Sequence, residues 1–137
     1  MNVSDVDKQE IVGDKLEAIF ARQRELMERY HKIEAENGLL LTDQVPVDLD
    51  SYKGQARLRD FIYRTTAELF ESGECLKLKA WVQTPLATDR QHFYEEIADA
   101  LHFMIEFCIL AGLDAQSLTD YYFRKSKVNI FRQGSNY

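Results

Sequence analysis

The stretch Phe93-Tyr-Glu-Glu96-Ile97-Ala-Asp99-Ala100-Leu101-His102-Phe103-Met104-Ile-Glu-Phe107-Cys108-Ile-Leu110-Ala-Gly112-Leu113 decides how this chain folds. Wound as a helix, it is apolar on almost every side: Ile97, Ala100, Leu101, Met104 and Cys108 form one stripe, and Phe103, Phe107 and Leu110 fill another. Such a helix belongs at the centre of a domain. Glu96 and Asp99 lie in its first half, in line with Phe103, and residues three apart share a helix face, so the two carboxylates stand side by side. A carboxylate held near a core must be paired, protonated or bound to a cation, and the same stripe holds no basic residue.

Upstream, Glu68-Leu-Phe-Glu71 repeats the same spacing inside a second apolar helical pattern. Two such helices facing each other would gather four carboxylates around a hard divalent cation. Mg²⁺ is the first expectation, with Mn²⁺ as a substitute, because such ions take oxygen ligands and bridge to substrate phosphates. Taken alone, either pair has a plainer reading as a solvated acidic helix face.

Outward from these helices the pattern remains helical. A first helix is expected over residues 8–36, where Leu16, Ile19, Phe20, Leu26, Met27, Tyr30 and Ile33 recur at three- and four-residue spacing and Asn37-Gly38 stops the run. Gln23 falls on that stripe, where its amide needs a partner in the protein or in a polar ligand. Residues 39–50, with Pro46, read as a crossing loop. A second helix is expected from Ser51 to Ser72 or Gly73, burying Leu58, Phe61, Ile62, Thr65 and Leu69. The 73–88 connection carries Lys77, Lys79, Pro85 and the single tryptophan, Trp81, which could stack on a ligand ring or cover a helix end. Thr88-Asp-Arg-Gln91 has the form of a capping box for the third helix, which Gly112 ends, and Asp114 is a natural N-cap for a fourth helix reaching Lys125 or slightly beyond.

With 137 residues, six glycines and two prolines, the chain reads as one all-α domain, a four-helix bundle. A net charge of −6 argues against a general nucleic-acid surface, which needs clustered Lys and Arg. No run of about 18 apolar residues suggests a membrane span, and the polar start lacks the pattern of a secretion signal, so a cytoplasmic protein is expected. The two cysteines, Cys75 and Cys108, lack metal-ligand spacing and read as buried, reduced thiols. Against the acidic background, the end of the chain concentrates Lys125, Lys127, Asn129, Arg132 and Gln133 beside aromatics. Lysine as a point charge and arginine as a planar fork suit an anion, so a tail folding over a metal-bound polyphosphate is one expectation and a frayed terminus the other.

Together these features resemble the all-α nucleoside triphosphate pyrophosphohydrolases, the superfamily of MazG-type enzymes and dimeric dUTPases, and within it the bacteriophage-type dCTPase/dUTPase branch. The likeness covers most of the chain. The E-x-x-E and E-x-x-D pairs fall on Glu68, Glu71, Glu96 and Asp99; the His-Phe that follows falls on His102 and Phe103; and the terminal K-x-x-x-N-x-x-R-Q falls on Lys125, Asn129, Arg132 and Gln133. Anchoring instead on Ala67-Glu68-Leu69 puts Thr65 at the first ligand position, with Glu68 second. The chain also lacks the extra helices usual in such dUTPases.

The resemblance implies Mg²⁺-dependent hydrolysis of a nucleoside triphosphate, dUTP or dCTP, to the monophosphate and pyrophosphate, as part of nucleotide-pool control. Glu68, Glu71, Glu96 and Asp99 would hold the metal, Glu68 or Glu71 would activate the water, and Lys125, Asn129 and Arg132 would bind phosphates. Gln23, Trp81, His102 and Gln133 would contact the substrate, with His102 alternatively supporting Asp99. It further implies a homodimer or homotetramer, in a host cytoplasm if phage-encoded. Two alternatives stay open: a catalytically degenerate nucleotide-binding or regulatory subunit, and a di-iron carboxylate bundle, which would need two Glu-x-x-His motifs in a chain with three histidines.

Overall fold

Short polar residues that satisfy free backbone N–H groups set the helix starts, because the first turn of any helix lacks internal acceptors. The computed structural model describes residues 11–135. Asp14 Oδ1 accepts from the amides of Leu16 (2.8 Å) and Glu17 (3.2 Å) and opens α1, Lys15–Glu36. The anticipated start at Lys8 lies outside the described residues, and residues 11–14 precede the helix. Ser51 opens α2, Tyr52–Glu74, by accepting from Gly54 N at 2.9 Å. Its hydroxyl also donates to Asp48 O. A Cβ on Gly54 would collide with that same carbonyl, so the tight approach requires glycine here.

The cap of α3, Arg90–Ala111, is Asp89, whose Oδ1 accepts from His92 N at 3.1 Å. Thr88 is therefore one residue too early as the expected cap. Gly112 closes α3 in the left-handed conformation at φ 98°. Asp114 and Ser117 then form a reciprocal capping box for α4, Ala115–Gly134. This helix runs well past Lys125 and takes in the basic segment that the sequence left as a tail: no residue between Lys125 and Gln133 is a helix breaker. Among the described residues there are four helices and no strand.

The principal packed pair is α2 with α3; α1 lies against α3, and α4 touches α1. The amide of Val47 donates to Leu110 O at 2.9 Å, which pins the crossing loop to the end of α3. Phe20, Met27, Val47, Phe61, Ile105, Cys108, Ile109, Leu110 and Ala115 make the core. Both cysteines are buried and free.

Expected stripes on three helices are partly exposed. On α2 the inner face is Gly54, Arg57 and Phe61, while Ile62 and Leu69 are exposed. On α3, Ile97, Leu101 and Met104 are exposed as well, because α1 and α2 cover only part of an apolar circumference. On α1, Ile19, Tyr30 and Ile33 face outward beside a core of Phe20, Gln23 and Met27.

What replaces apolar contact on α2 is charge. Arg57, 1 % exposed, lies beside the Phe61 ring and places NH1 2.9 Å from Glu34 of α1. Arg64 reaches the other oxygen of the same carboxylate at 3.2 Å and also pairs with Asp60. Truncating one partner of such a pair strands a buried charge. Glu34→Ala should therefore cost about 3 kcal/mol in a denaturant titration, whereas Glu25→Ala, which breaks only the exposed pair with Arg22, should stay within about 0.5 kcal/mol.

Candidate metal centre and its flanking cavities

The face of α2 that carries Arg57 and Phe61 continues to Glu68, and the facing stripe of α3 carries Glu96 and Asp99. Each of these three acids offers an oxygen within 4.8 Å of the others, from two antiparallel neighbours. Oε2 of Glu68 and Oε2 of Glu96 are buried without a hydrogen-bond partner. Carboxylates crowded in this way repel one another, and desolvation adds to the cost. Burial, then the hydrogen-bonding contact with Glu96, then the charges of Glu71 and Asp99, push the Glu68 carboxyl up to about 7. The donor set is hard oxygen throughout, with two buried oxygens unpartnered, and this fits a hard divalent cation.

Glu71, expected as a fourth ligand, is exposed one turn beyond Glu68 and lines a cavity of about 360 Å³ with Glu74, Cys75, Lys77, His92 and Glu96. Glu96 also has His92 Nε2 at 3.7 Å. Thr65 is turned to its own helix, its hydroxyl donating to Phe61 O at 2.8 Å.

On the other side of Asp99 is a cavity of about 510 Å³, bordered by Gln23, Tyr30, Glu34, Arg64, His102 and Glu106. Gln23 is buried, and its partner is His102, whose Nδ1 lies 3.1 Å from Gln23 Oε1. These two residues, placed apart in the chain, meet because α1 lies across α3. The acidic cluster thus has one opening beside Lys77 and another beside Gln23 and His102.

The remaining anticipated residues lie elsewhere. Trp81 is 77 % exposed in the α2–α3 connection, covering no helix end, with Lys79 over its ring at 5.7 Å. Lys125, Asn129, Arg132 and Gln133 occupy one exposed side of α4 at helical spacing, and none of them lines either cavity. Two residues the sequence reading passed over are central to the interior: Glu106, which continues the Glu96, Asp99, Phe103 stripe by another turn, and Arg57.

No family model, curated protein or solved structure matches this chain. Among the described residues no helix is long and apolar enough to cross a membrane.

The raised carboxyl sets a pH signature. An unfolded glutamate titrates near about 4.3, so between there and about 7 the folded state holds the Glu68 proton and the unfolded state does not. Stability should fall as pH rises through that window. A cation that neutralises the cluster should restore it, so Mg²⁺ should raise the melting midpoint by several degrees at pH 8 and leave it unchanged at pH 5, measured by calorimetry. Glu68→Gln should weaken both effects.

Proposed function

We propose that this chain is a metal-dependent nucleoside triphosphate pyrophosphohydrolase that converts dUTP or dCTP to the monophosphate and pyrophosphate, in the manner of the MazG-like and dimeric dUTPase bundles. The observation that carries the reading is the cluster of Glu68, Glu96 and Asp99, with two orphaned buried oxygens and an opening on either side. Mg²⁺ bound there would offset phosphoryl charge and lower the pKa of a bound water.

On this reading Glu68, beside Glu96 and Asp99, takes the proton of the attacking water. The water oxygen bonds to the α-phosphorus, the bond from that phosphorus to the α,β-bridging oxygen breaks, and pyrophosphate leaves. Lys77, beside Glu96 and Glu71, supplies positive charge on that side of the cluster. Gln23 and His102, on the other side of Asp99, hold the substrate's opposite end.

Association as a homodimer or homotetramer belongs to the same reading. Ile97, Leu101 and Met104 of α3, Ile19 of α1, and Tyr121, Tyr122, Phe123, Ile130 and Phe131 of α4 are all exposed. Apolar surface on this scale marks an interface. A second copy would cover it and bring the α4 face of Lys125, Asn129 and Arg132 toward the neighbouring cluster as phosphate ligands. One observation favours a second reading, a nucleotide-binding subunit without turnover: the strict cluster has three acids, with Glu71 exposed and Thr65 bonded to its own backbone.

Pyrophosphate release with Mg²⁺ separates the two, and Glu96→Gln or Asp99→Asn should lower turnover at least 1,000-fold, on the scale of removing a metal ligand or general base, with an unchanged circular dichroism spectrum. Near-normal activity in both variants would sink the site assignment. In a shared-site dimer, inactive Glu96→Gln and Arg132→Ala chains refolded together should recover about a quarter of wild-type activity.

A further inference from the structure

Away from the acidic cluster, three neighbouring helices each hold buried polar atoms that find no hydrogen-bond partner among the described residues. They are Nε2 of His31 on α1, Nε and Nη2 of Arg57 on α2, and Oε1 of Glu106 on α3. Arg57 is 1 % exposed and Glu106 2 %, so bulk water does not serve them. His31 Nε2 lies 3.8 Å from Glu106 Oε1, beyond hydrogen-bond reach but close enough for the charge on one group to act on the other. Arg57 uses only Nη1 in its ion pair with Glu34, and its charge acts on both Glu106 and His31. Buried donors and a buried acceptor left unpaired on facing helices are costly, which points to a second arrangement in which they meet.

We infer that Glu106, His31 and Arg57 form a proton-operated latch between the three helices. With Glu106 protonated, the acid and the imidazole face each other uncharged, and Arg57 serves Glu34 alone and ties α2 to α1. With Glu106 ionised, the spare Nε–H and Nη2–H donors of Arg57 turn to its carboxylate and tie α2 to α3 as well. Arginine suits this double duty, because its five N–H donors form a rigid fork that can serve two carboxylates and it keeps its charge throughout. The latch does not depend on the nucleotide reading.

The charges around Glu106 set where the latch works. From α1 come His31 and Glu34, with Tyr30 on the same cavity wall; from α2 come Arg57 and Arg64, the latter also held by Asp60; on α3 itself, His102 and Asp99 lie one and two turns earlier. Burial, opposed by Arg57 and reinforced by Glu34, pushes the Glu106 carboxyl up to about 7. Burial and Arg57 hold the His31 imidazole below its ordinary range, against the pull of Glu34. Both directions favour the proton on the carboxyl over the imidazole. Above about 4.3 the unfolded glutamate has lost the proton that folded Glu106 keeps, so this contribution to stability falls as pH rises to about 7. His31 runs the other way: its contribution is present above about 6.5 and is lost as pH falls. The two slopes oppose each other in mild acid, and the transition near 7 is the one that engages Arg57. Glu34, Arg64 and Glu106 all border the cavity beside Asp99, so the same proton sets the charge along that wall.

The test is a pH titration of the full chain without metal, followed by NMR at the Arg57 Nε–H and at the ring nitrogens of His31. The Arg57 Nε–H proton should move downfield, in the sense of a new charge-assisted hydrogen bond, through one transition at about 7. His31 should titrate below the ordinary value of about 6.5. Glu106→Gln, which keeps the shape but never ionises, should abolish the Arg57 transition. It should leave the His31 midpoint unchanged, because the acid is already protonated where that ring titrates. Glu68→Gln should leave the Arg57 transition in place, which separates it from the other carboxyl near 7.

An Arg57 signal that stays still or moves upfield in the wild-type chain overturns the inference without reference to any variant. So does a transition that survives in Glu106→Gln, or a His31 midpoint at or above about 6.5. A lower His31 midpoint in Glu106→Gln would also overturn it, since Glu106 would then be ionised where the ring takes up its proton.

Discussion

Arg57 buries a full positive charge between helices, and its one ion pair ties α2 to α1. Removal of a guanidinium from water is expensive unless carboxylates replace the lost solvation. Glu34 supplies a direct 2.9 Å partner from α1, and Phe61 lies against the guanidinium with its ring centre 5.2 Å away. Arg64 shares the same carboxylate and lies 4.6 Å from the same ring centre. Between them these contacts fix the rotation of α2 about its axis: the face carrying Arg57 must look inward, and Glu68, three turns on along that face, is thereby turned toward α3.

That rotation makes the acidic cluster possible. Glu68 meets Glu96 and Asp99 because both helices present the same polar stripe to each other, at the cost of leaving Ile62 and Leu69 on the outside. A polar stripe between two helices stabilises less than an apolar one, and a small core bears the difference. Such local conflict between packing and chemistry is what functional sites look like in otherwise consistent folds. Opposite charges at one end of the stripe and like charges at the other give the pair its two behaviours: Glu34 is held below the usual carboxylate range by two arginines whose pull exceeds the effect of burial, while Glu68 is pushed above it by burial and neighbouring acids.

Much of this was legible residue by residue. Ser51, Asp114 and Gly112 mark helix ends through short-range hydrogen bonding and a left-handed turn, both of which are local properties, whereas the Asp14 cap of α1 went unread. The acid pairs stood out because an i, i+3 spacing places two side chains together on any helix. Glu106 was legible in principle, since it extends the stripe of Glu96, Asp99 and Phe103, yet in an apolar run one further acid reads as a surface position. Arg57 carried no signal at all: its partner is on another helix, and an arginine in a helical pattern reads as solvated. The basic segment was misjudged in form, since its polar composition concealed an unbroken helical run.

The sequence by itself determined four helices, several of their ends, and which pairs of carboxylates share a face, because each depends on contacts within a turn or two of the chain. Only the tertiary structure decided which face of each helix turns inward. Helical periodicity describes a cylinder and leaves its rotation open; that rotation is chosen by long-range terms, here a buried arginine finding its carboxylate across the bundle. The same choice brought Gln23 to His102, placed Glu106 at the floor of a cavity, and left the exposed side of α4 away from the acidic cluster within one chain.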